Sequence, residues 1–118
     1  MNLRHFVRVK VSLRFTFTWS GPTPEDAYFE LFRTVDVGAG GARVVRHVPE
    51  SPMPPVGAVG EFAFCIEQTE IRSLATVVRH ATEGFVVRFR PLRRVTEDQL
   101  VAWVFRHEAQ ALARRTAG

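Results

Sequence analysis

The sequence predicts a mainly β domain, a six-stranded antiparallel β-barrel with one C-terminal α-helix. Three observations carry this. Residues 7–19 alternate apolar and polar without a break. Five further short segments rich in apolar, β-branched or aromatic residues follow, most of them set off by turn-forming residues. One stretch of approximate helical period, with a capping signal at its start, closes the chain. Consecutive strands followed by a lone helix fit an antiparallel barrel or sandwich with the helix against one opening. The 118 residues suffice for one such core without disulfides or a metal.

The first strand places Val7, Val9, Val11, Leu13, Phe15, Phe17 and Trp19 on one face and polar residues on the other. Thirteen residues is long for one strand, so a bend or bulge is expected within it. After a break at Gly21-Pro22, a second strand is expected over residues 28–35. The glycine-rich turn from Asp36 to Gly41 leads into a third at 42–48. The prolines of residues 49–55 demand a surface loop. Strands at 61–67, 71–80 and 85–89 complete the six. Thr96 reads as an N-cap with Gln99 closing a capping box, which opens a helix over about 97–115. No domain boundary is visible in residues 1–118, with an N-terminal arm at 1–8 and the barrel over about 7–90.

Composition narrows the function. Of 16 basic residues 15 are Arg, against 12 acids, for a net charge of +4. Arginine's planar fork matches phosphate and stacks on rings, which leaves phosphate-bearing ligands open. A bias toward arginine codons produces the same count. No stretch is long and apolar enough to span a membrane. The charged start lacks a signal peptide's apolar region, and the single cysteine fits a reducing compartment, so a cytoplasmic location is expected. Cys65, in an apolar strand, reads as a small core residue.

No catalytic or metal-binding constellation emerges. His107-Glu108 has the start of a zinc-protease helix, but Ala111 stands where the second histidine belongs. The other histidines are scattered, the serines lack a nucleophile's setting, and the carboxylates form no acid–base pair. The glycine turn precedes a strand rather than a helix, so it is no dinucleotide fingerprint. It fits a hairpin whose glycines allow positive φ. Most of the ten Phe fall on core-facing positions. A stacking surface for DNA or RNA is therefore not expected.

Two short motifs carry a resemblance. Arg4-His5-Phe6-Val7-Arg8 is an R-x-x-x-R at the start of the first strand. Asp36-Val37-Gly38-Ala39-Gly40-Gly41 is similar to the (D/N)-x-S-x-x-G signature of PilZ domains, with Gly38 in place of Ser. The order of the motifs and the strand-rich pattern around them agree over nearly the whole chain. The resemblance implies a bacterial receptor for cyclic di-GMP that binds its ligand on the outside of the barrel and relays the signal to an effector protein. No cofactor beyond that ligand is implied. Arg4 and Arg8 would hold phosphate and guanine, Asp36 would accept from a guanine's N1 and N2, and Gly41 would let the backbone approach. The arm carrying Arg4 is expected to order over the ligand. The departure at Gly38 removes a hydroxyl and favours an alternative, a nucleotide-free adaptor that works through protein contacts.

Overall fold

The computed structural model describes residues 7–23 and 25–117. Its elements are β1 (Arg8–Lys10), β2 (Arg14–Ser20), β3 (Ala27–Gly38), β4 (Gly41–Arg46), β5 (Val59–Ile66), β6 (Thr69–Ala81), β7 (Gly84–Phe89) and α1 (Arg94–Ala117). All the pairings are antiparallel. Six strands close into a ring because β3 pairs both β2 and β4, β4 pairs β7, and β6 and β5 lead back to β2. The barrel and terminal helix are those the sequence predicts. The seventh strand, β1, lies outside the ring along β3.

That extra strand is the first half of the long alternating segment. Lys10 pairs with Asp36 and Arg14 with Arg33, so four steps on one strand oppose three on the other. The surplus residue breaks the ladder between β1 and β2. Thr34 fills the break. Its Oγ1 accepts from the Leu13 amide at 2.8 Å and donates to the Val11 carbonyl. Its own amide donates to the Leu13 carbonyl at 2.9 Å. Thr34 is the one buried polar side chain among the described residues.

β3 is bulged at the same place. Its register with β4 shifts between Thr34 and Asp36. Phe32 and Thr34 point inward, but so does Val37, because the bulge reverses the alternation. Asp36 is thereby turned to the outside.

Aromatic residues dominate the core. Seven of the ten Phe are buried, with Phe62 stacked on Phe89 at 4.5 Å and Phe32 edge-on to Phe85 at 4.9 Å. Such pairs add to the area they bury. Leu100, Trp103 and Val104 of α1 join the same cluster, and α1 lies against β1 and β3. The helix begins at Arg94, two residues before the expected cap. The Glu97 amide already donates to the Arg93 carbonyl at 2.9 Å, which puts Thr96 inside the first turn. No helix among the described residues is long and apolar enough to cross a membrane.

Cys65 is exposed, contrary to the core position expected. Phe62, Phe64 and Ile66 take the inward positions of β5, and the pleat turns Cys65 to solvent. The proline loop is pinned to β6, where His80 Nε2 donates to the Pro54 carbonyl at 2.8 Å.

Candidate functional site

Strand pairing brings two of the expected site residues together. Arg8 lies opposite Gly38 and Asp36 opposite Lys10, so Arg8 and Asp36 are diagonal neighbours on the outer face. Arg8 Nε donates to Asp36 Oδ1 at 2.8 Å, and Nη2 lies 2.7 Å from the same oxygen. Both side chains stay reachable, at 38% and 25% exposure. Arg4 lies outside the described residues.

Gly38 explains how closely β1 approaches. A Cβ at this position would sit 2.9 Å from the Val7 carbonyl oxygen and 3.1 Å from Arg8 Cγ. A serine in this backbone arrangement would press on the residue that carries the site. Gly41 lies opposite Arg88 of β7, and a Cβ there would run into the Val87 carbonyl oxygen. Its glycine is demanded by close packing of β4 on β7. None of the turn's three glycines uses positive φ, contrary to the hairpin expectation. Among the described glycines only Gly57 does, at φ 92.

Arg8, the cationic partner of this pair, lines a cleft of about 780 Å³. Arg8, Ala39, Gly40, Gly41, Arg88 and Arg90 are on its walls, and Glu97 contributes an acid. This size suits a small-molecule ligand. A second cavity of about 270 Å³ lies between β1 and α1, with Arg8, Lys10, His107 and Arg114 among its lining residues. Arg8 thus stands at both.

Three arginines near the expected site have no place in either motif. Arg43 of β4 is the cross-strand partner of Asp36, and its Nε is buried without a hydrogen-bond partner. Arg88 and Arg90 come from β7 and the residue after it. Alternation in residues 85–89 alone turns Arg88 outward. Its placement beside the turn depends on barrel closure, which is not a local signal.

Elsewhere the charges serve the surface. Arg72 bridges Glu61 and Glu70. Its hydrogen bond to Glu70, reinforced by its charge, holds that carboxyl below the usual range. Among the described residues no three His, Cys, Asp or Glu side chains converge on one point.

No curated protein sequence matches the chain. Among solved structures that share its fold, the Bacillus subtilis inhibitor of motility (MotI/DgrA) superposes with a TM-score of 0.68 at 17% identity, over 88% of this chain and 50% of that one. This chain therefore spans half the length of the motility inhibitor. The PilZ domain of CeSA from a cellulose-synthesizing bacterium gives 0.61 at 16% identity, over 86% and 97%. The sequence profile of the PilZ domain matches residues 2–106, the whole barrel and about the first half of α1. The chain belongs to the PilZ domain family.

Proposed function

We propose that this chain is a non-catalytic, cytoplasmic receptor domain for cyclic di-GMP that passes the ligand's occupancy to an effector protein. One observation carries the reading. Arg8 and Asp36, 28 residues apart in the chain, pair on the outer face, and Arg8 lines a cleft of about 780 Å³. A carboxylate there supplies paired acceptors for a guanine's N1 and N2 hydrogens. A guanidinium beside it stacks on a base or grips phosphate. Arg4, four residues before Arg8, belongs to the same motif and would bring a second guanidinium on the N-terminal arm. The glycines at 40 and 41 line the cleft with backbone alone.

Calorimetric titration with cyclic di-GMP tests this. The expected result is saturable heat that is lost in Arg8→Ala and Asp36→Ala. Both variants should keep nearly full stability, because an exposed ion pair contributes only about 0.2–1 kcal/mol.

A second reading rests on Gly38. The family's serine is missing, and the backbone leaves little room for one. A nucleotide-free adaptor using the same barrel fits that departure. No heat at near-millimolar cyclic di-GMP, with the same result by equilibrium dialysis, would decide for the adaptor.

A further inference from the structure

The recognised motifs bring two guanidiniums, Arg4 and Arg8, and one carboxylate, Asp36. The cleft's ligand, on the reading above, carries two phosphates. Arg8 is already committed to Asp36, so part of its charge is answered before any ligand arrives. Arg88 and Arg90 line the same cleft and are exposed. Neither takes part in any ion pair found among the described residues. Arg90 Nε makes one long contact, 3.4 Å to Thr76 Oγ1. The acid on the cleft wall, Glu97, is engaged by another interaction.

Their placement follows from the barrel. Gly41 is the cross-strand neighbour of Arg88 and has no side chain to cover it. Thr76 is the neighbour on the other side. Arg88 therefore stands between two small neighbours, beside the turn that follows Asp36. A guanidinium fork in that setting can donate two parallel hydrogen bonds to a phosphate.

We propose that Arg88 and Arg90 are the phosphate-binding cations of this cleft, which leaves the Arg8–Asp36 pair to engage the base. The assignment rests on the cyclic di-GMP reading and adds two residues to it. It divides the labour by chemistry. The carboxylate and its partner match the hydrogen-bonding edge of a guanine, and the two β7 arginines neutralise the diester charges.

The test is calorimetry of cyclic di-GMP with the full chain, its Arg88→Ala and Arg90→Ala variants, and the two Lys replacements. Each is titrated at low and at raised salt. Both positions are exposed, so unchanged thermal midpoints are expected and serve as the folding control. Loss of a charged hydrogen-bonding group should weaken binding by about tenfold to a hundredfold in each Ala variant. Lys should recover part of the loss, since it keeps the charge but not the fork. Salt dependence should be flatter in the Ala variants than in the parent.

Parent-like affinity in both Ala variants, within about twofold, overturns the assignment while leaving the receptor reading intact. Weaker binding with unchanged salt dependence also overturns it, because it marks a structural role. An absence of binding by the parent chain removes the receptor reading and this assignment with it.

Discussion

Thr34→Val tests whether a buried hydroxyl holds the site strand in place. The substitution keeps the side chain's shape and replaces Oγ1 with a methyl. Two hydrogen bonds go with it, from the Leu13 amide at 2.8 Å and to the Val11 carbonyl. Each is worth about 0.5–1.5 kcal/mol net, and a buried group left without a partner costs about 1–3 kcal/mol. The two backbone groups are only partly buried, which places the sum near the lower end, at about 2 kcal/mol. With a urea m-value of about 2 kcal/mol/M for a small domain, the unfolding midpoint should fall by about 1 M. Thr34→Ser keeps the hydroxyl and loses one methyl, for about 0.8 kcal/mol, so it should lie between the parent and the Val variant. Amide exchange should quicken first at Leu13, whose hydrogen bond is lost. On the receptor reading, cyclic di-GMP affinity should fall too, although Thr34 faces the core, because β1 carries Arg8. A Val midpoint within about 0.2 M of the parent, or a Ser variant no more stable than Val, would refute the reasoning.

Two other expectations follow from the same geometry. Gly41→Ala drives a Cβ into the Val87 carbonyl oxygen, so β4 and β7 must separate. A loss of about 1–3 kcal/mol should be visible in denaturant unfolding. Arg72→Ala should raise the Glu70 carboxyl toward its ordinary value of 4.5, as followed by NMR titration. The sign is that of a depressed carboxyl: its contribution to stability is present above the unfolded value and fades as pH falls through the folded one. The variant should therefore show less of this acid sensitivity than the parent.

Much of the barrel was legible because its strands keep the period of two. The inward Phe15, Phe17 and Trp19 are placed correctly by alternation alone, and so is the break expected in the first strand. Cys65 was legible as well, since the inward Phe62, Phe64 and Ile66 leave it only the outer face. The apolar composition around it pointed the wrong way. The β5–β6 turn gives no such signal. It runs through Glu67 and Gln68 at φ 45 and 70, where glycine or asparagine is the usual marker. Asp36 is the instructive case. Counting by twos from Phe32 and Thr34 sends it into the core, and the bulge that reverses it depends on a side chain bonding a strand 21 residues away. Arg88 and Arg90 depend on β7 meeting β4, a contact no local pattern encodes.

The departure at Gly38 and the Arg8–Asp36 pair are two sides of one arrangement. A side chain at 38 would push on the Val7 carbonyl and on the Arg8 stem. Glycine lets β1 lie close enough for Arg8 to reach across to the carboxylate. The hydroxyl lost from the motif is thus exchanged for a site strand held in register. The pair need not break for a base to bind. Both contacts from Arg8 fall on Oδ1, and a carboxylate has about four acceptor positions in all. The two lone pairs of Oδ2 are left to accept donors from a guanine edge while the guanidinium stays in place. On the receptor reading, Arg8 would orient the carboxylate for the incoming base, and the preorganisation it supplies would offset part of what the missing serine would have contributed.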